Sequence, residues 1–71
     1  MLKEIQATNA DTGTTEHFEL HKINYHKKNG KVKSVELFQN GELHTFQKTG
    51  QAIFYTDEKT ISIPAYQLNI Q

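Results

Sequence analysis

Cysteine and arginine are absent from this chain of 71 residues, and proline occurs once. Without cysteine there can be no disulfide and no thiolate zinc site. Without arginine, the planar fork that grips phosphate or guanine through two parallel hydrogen bonds is missing. No apolar run approaches the length needed to span a membrane. The opening Met1-Leu2-Lys3-Glu4-Ile5 has no apolar signal-peptide core, so the expectation is a cytoplasmic chain with no membrane partner. Eight lysines balance eight carboxylates, and global charge therefore points to no partner.

What the chain does have is a set of 20 large apolar residues: six Ile, five Leu, four Phe, three Tyr and two Val. At this length the entropy of ordering nearly cancels the gain from burying them. With disulfides excluded, a well-packed barrel or a partner chain is the expected remedy. Residues 1–71 are expected to form one domain.

The glycines punctuate the chain: Thr12-Gly13, Asn29-Gly30, Asn40-Gly41 and Thr49-Gly50. Asn-Gly is the strongest short hairpin signal, because both residues tolerate positive φ. Asp57-Glu58-Lys59 is a further polar break. Between breaks the segments are rich in β-branched and aromatic residues, and none shows a convincing helical period. Strands are expected near 2–8, 15–26, 31–39, 42–47, 52–56, 60–64 and 66–70. Pro64 marks an edge or a bend.

Each turn implies a register. A two-residue Asn40-Gly41 turn pairs Phe38 with Leu43 and Val35 with Phe46. A two-residue Thr49-Gly50 turn pairs Phe46 with Ile53 and His44 with Tyr55. A three-residue Asp57–Lys59 loop pairs Tyr55 with Ile61 and Ile53 with Ile63. A loop of Lys28, Asn29 and Gly30 pairs Ile23 with Val35, Lys22 with Glu36 and Leu20 with Phe38. Alternation then gathers Ile23, Val35, Leu37, Phe46, Ile53, Tyr55, Ile61 and Ile63 on one face. Phe18 and Leu20 are out of phase with Ile23 and Tyr25, and Ile61 and Ile63 with Tyr66, Leu68 and Ile70. Such slips mark bulges or corners. The fold class is therefore all-β: a small antiparallel meander curled into a barrel or half-barrel of about five to seven strands. The first strand (Leu2, Ile5, Ala7) and the last (Tyr66, Leu68, Ile70) would close it.

The same register places Leu20, Phe38 and Leu43 in a row on the opposite face, with Phe54 diagonal to Leu43. Four large apolar groups there would make a contact patch for another protein or a second copy, by default a symmetric homodimer. The alternative cover is the chain's own segment Tyr66, Leu68 and Ile70. The leading functional reading is thus a non-catalytic protein-interaction or self-association module.

A second reading rests on charge. Residues 22–33 hold five lysines and no acid, and the remainder holds three lysines against eight acids. Lys27, Lys28, Lys31 and Lys33 would contact phosphates of a nucleic acid without reading its sequence. Tyr25 and His26 beside the tip would stack on unpaired bases. A charged tip also serves simply to keep a hairpin solvated and unaggregated.

Other motifs are weaker. Asp11-Thr12-Gly13 has the spelling of aspartic-protease loops, but that chemistry needs two such loops sharing a proton. One copy in a polar context reads as an Asx-type turn. His17, Glu19 and His21 alternate along one strand face, with His44 a possible fourth member, yet two-residue spacing alone is a poor metal signature. A solvated polar face is the simpler account, and no metal or cofactor is expected. Ser34 and Ser62 have no nucleophile partners, and there is no glycine-rich phosphate loop. The chain is not expected to be an enzyme.

Overall fold

The computed structural model describes residues 3–68. Six strands run β1 (Lys3–Asn9), β2 (Thr15–Tyr25), β3 (Val32–Gln39), β4 (Glu42–Gly50), β5 (Ile53–Tyr55) and β6 (Thr60–Ser62). Each pairs antiparallel with the next, and β6 returns to β1, so the meander closes into a six-stranded barrel. The closing seam is short: Thr8 partners Ser62 and Asn9 partners Ile61. Beyond it a single 3-10 turn, Ala65–Leu68, lies against β1. The Gln6 amide there donates to Gln67 Oε1 at 3.2 Å, so a side chain satisfies a backbone group that no strand reaches. No described helix is long and apolar enough to cross a membrane.

The segment expected as a last strand over 66–70 is therefore a 3-10 turn over its described part, and Ile70 lies outside the described residues, as does Leu2. Pro64 has no N–H to extend the ladder, and its carbonyl accepts from Gln67 N at 3.0 Å.

Ten apolar side chains fill the barrel: Ile5, Ala7, Phe18, Leu20, Val35, Leu37, Phe46, Phe54, Ile61 and Ile63. Phe18 and Phe46 meet edge to face at 5.7 Å, the arrangement favoured by the ring quadrupoles. Ile23, Val32 and Leu68 pack against this cluster from its margin.

Register explains which residues enter. At Asn40-Gly41 both φ values are positive, 54° and 80°, and the tight turn sets Phe38 opposite Leu43 and Val35 opposite Phe46 as the sequence implies. Ile23–Val35 and Lys22–Glu36 also pair as expected. Between Leu20 and Lys22, however, β2 carries a bulge at His21. Leu20 then partners Leu37, and Glu19 takes the place opposite Phe38. The extra residue resolves the phase slip between Phe18/Leu20 and Ile23, turning both sets inward.

The fourth turn differs from expectation. β4 continues through Gly50, with a shift between Lys48 and Gly50, and the reversal falls at Gln51-Ala52. Ala52, at φ 63°, takes the left-handed conformation there, and Gly50 does not. Tyr55 therefore faces Gln47, Lys48 faces Phe54, and Gly50 faces Ile53. The following loop has four residues, closed by Thr56 N to Lys59 O at 2.8 Å. Thr56 Oγ1 also accepts from Glu58 N and Lys59 N at 3.1 and 3.3 Å. Phe54 then partners Ile61, and Tyr55 partners Thr60. A one-residue displacement exchanges the two faces of a strand, so Phe54 is buried while Ile53 and Tyr55 leave the core.

Candidate functional site

The proposed apolar patch does not assemble. Leu20 and Phe54 are 3% and 1% exposed inside the barrel. The bulge at His21 turns the first inward, and the displaced β4–β5 turn does the same for the second. Phe38 and Leu43 remain outside as cross-strand partners; Leu43 is exposed and Phe38 half-buried. The His21 ring covers part of Phe38, edge to face at 5.3 Å.

The lysine-rich segment is a projecting hairpin. β1 partners β2 only as far as Leu20, so among the described residues Lys22–Tyr25 pair with β3 alone. On the other side β3 partners β4 no further than Ser34. The tip is tied by His26 N to Lys31 O and by Gly30 N to His26 O, both at 2.8 Å. Asn29 Oδ1 accepts from Lys31 N at 2.9 Å, and Gly30 supplies a φ of 71°. Lys27, Lys28, Lys31 and Lys33 are exposed, as is Tyr25. Among the described residues none of these lysines, nor Lys22, has a carboxylate at ion-pair distance. Glu36, the cross-strand neighbour of Lys22, instead accepts from Asn24 Nδ2 at 3.0 Å. The hairpin therefore presents uncompensated positive charge.

The histidines do not converge. His17, Glu19 and His21 are exposed outside β2, whereas His44 faces inward at one barrel end, opposite Leu37. Its Nε2 lies 3.7 Å from Glu42 Oε1. Among the described residues no three His, Cys, Asp or Glu side chains are grouped to hold a metal ion. Asp11 sits at the β1–β2 hairpin tip, where Asn9 heads the turn. Asn9 Oδ1 accepts from Asp11 N at 2.9 Å and Thr12 N at 3.1 Å.

The sequence reading missed a polar cluster at the same barrel end as His44. Lys59 Nζ lies 2.7 Å from Glu16 Oε1. Gln39 Nε2 donates to that oxygen at 3.0 Å, and Asn9 Nδ2 donates to Oε2 at 2.7 Å. The Lys59 bond, then those from Asn9 and Gln39, lower the Glu16 carboxyl from 4.5 to about 2. Lys59 Nζ also stands 5.9 Å from the centre of the Phe18 ring. A signal was present: Glu16 shares the inward phase of Phe18 and Leu20. The partner Lys59 lies 43 positions away, beyond what a local pattern reveals. A small hollow of about 160 Å³ beside the cluster is walled by Gln39, Glu42, His44, Phe46, Glu58 and Lys59, among others.

The opposite end of the barrel is apolar and more open. Val32, Phe54, Ile63, Ala65, Tyr66 and Leu68 line most of a groove of about 560 Å³. Lys48 stands at its side, with Nζ 6.0 Å from the Phe54 ring centre and donating to Gly50 O at 2.7 Å. Val32, at the start of β3 beside the tip of the lysine hairpin, is one wall of this groove.

No protein family matches the chain, and no curated protein or solved structure does.

Proposed function

We propose that the chain is a non-catalytic binding module that holds a polyanion, nucleic acid foremost, through the β2–β3 hairpin and without reading base sequence. The observation that carries this is the set of exposed lysines on a projecting ribbon, none paired with a carboxylate among the described residues. Lys27, Lys28, Lys31 and Lys33 supply charge along the backbone of the ligand, and counterion release supplies the affinity. The absence of arginine fits a contact that does not discriminate between bases. We place this activity in the cytoplasm, with which a cysteine-free composition is compatible.

The test is the salt dependence of binding to a fluorescent oligonucleotide. Neutralising about four phosphates gives a slope of roughly −3 in log K against log salt. Changing all four lysines to Gln should flatten it. An oligonucleotide that does not bind at low salt removes the proposal.

Contact with another protein or a second copy is the second reading, on reduced ground. Leu43 is 46% exposed beside Phe38, and these two alone remain of the four-residue patch. A homodimer through them would dissociate on Leu43→Lys, as sedimentation would read directly.

A further inference from the structure

The apolar groove and the lysine hairpin share a wall. Val32 lines the groove and is the Cα partner of Tyr25 across the hairpin. A register shift falls between Asn24 and Tyr25, where β3 carries the surplus residue Lys33. Along β2 itself Tyr25 keeps the phase of Ile23, two positions before it, which packs on the core margin. It lies past the end of the barrel and is 56% exposed. Across the groove, the 3-10 turn holds Tyr66, 72% exposed. One uncovered phenol ring, Tyr66, thus lines an apolar trough, and a second, Tyr25, stands on the neighbouring ribbon of unpaired lysines as the Cα partner of the groove residue Val32.

Neither component alone selects a ligand. Lysines attract any polyanion, and an apolar trough accepts many hydrophobic groups. Together they fit a polymer that alternates negative charge with flat apolar faces. Single-stranded nucleic acid has that alternation, with its bases free to leave the backbone and stack on aromatic rings. A duplex keeps its bases stacked inside and offers only phosphates to such a surface. The geometry points to single-stranded nucleic acid as the ligand, with the hairpin lysines on its phosphates and unpaired bases entering the groove against Tyr25 and Tyr66. This rests on the polyanion reading and goes beyond it by naming the strand state and the base-binding surface.

The experiment compares three probes: a twelve-nucleotide thymidine oligomer, a duplex of equal length, and heparin, which carries charge without bases. Wild type should bind the thymidine oligomer more tightly than the duplex, and its tyrosine fluorescence should fall on binding. Tyr66→Ala and Tyr25→Ala alter exposed side chains, so the fold should persist. Each should weaken the thymidine oligomer about fivefold or more and leave duplex and heparin binding unchanged. Replacing the four hairpin lysines should weaken all three. If both tyrosine variants bind the oligomer like wild type while the lysines still matter, the base-binding groove is overturned and the polyanion reading survives. If no probe binds at low salt, both fall. A wild-type dimer that Tyr66→Ala dissociates would assign the groove to a second copy and overturn the inference.

Discussion

Phe54 and Ile61 are Cα partners across β5 and β6, and both side chains are enclosed in the barrel. Their neighbour Tyr55 partners Thr60 and stands 43% exposed. One pairing thus decides which residue of the Phe-Tyr sequence supports the fold. The expected outcome is that Phe54→Leu lowers stability by about 1–3 kcal/mol, as core truncations do. Tyr55→Leu, at the surface, should stay within about 0.5 kcal/mol. Urea unfolding of the two variants measures the difference, and equal costs would contradict the register.

The β4–β5 turn makes a second pair of predictions. Ala52 occupies left-handed backbone at φ 63°, which costs a residue with a Cβ about 1–2 kcal/mol. Ala52→Gly removes that strain but gives the unfolded chain more freedom, worth about 0.4–1 kcal/mol in the other direction. A small net gain is expected. Gly50 has no positive φ, and an added Cβ would meet Ile53 at an ordinary 3.8 Å. Gly50→Ala should therefore be tolerated. Gly41→Ala should lose about 1 kcal/mol or more, because φ there is 80°. Thermal melts of the three variants give the order.

Glu16 ties acid stability to one barrel mouth. Its carboxyl is held at about 2 in the folded chain by Lys59, Asn9 and Gln39, against an ordinary 4.5. A lowered folded value means the stabilisation is fully present above the unfolded value. It is lost as pH falls from about 4.5 toward about 2. Solvent screening at this barrel mouth keeps the contribution well below the full conversion of that shift, at about 1–2 kcal/mol. Glu16→Gln should be less stable than wild type at pH 7, with the gap closing as pH falls through that window. Parallel urea titrations at several pH values would show it, and a gap independent of pH would contradict it.

Which parts of this were legible in sequence follows from how local each constraint is. Asn40-Gly41 specified its own turn and hence the β3–β4 register, because few other dipeptides accept two positive φ values. Thr49-Gly50 misled, since a glycine near a turn need not be the residue that requires one; Ala52 takes that place. The phase slip around His21 announced a bulge, but an isolated strand does not show on which side the surplus residue falls. Ideal alternation therefore places Leu20 and Phe54 on the outer face, whereas both are enclosed in the barrel. The lysine hairpin was readable because its signal is contiguous. The groove was not, for its walls come from β3, β4, β5 and the segment after β6, brought together only when the barrel closes.

The most direct measurement is a two-dimensional amide NMR titration of the isotopically labelled protein with the thymidine oligomer. The amides of residues 25–33 are expected to shift first and saturate together, with those near Tyr66 following them. Shifts centred on Phe38 and Leu43, with the hairpin amides unmoved, would contradict it.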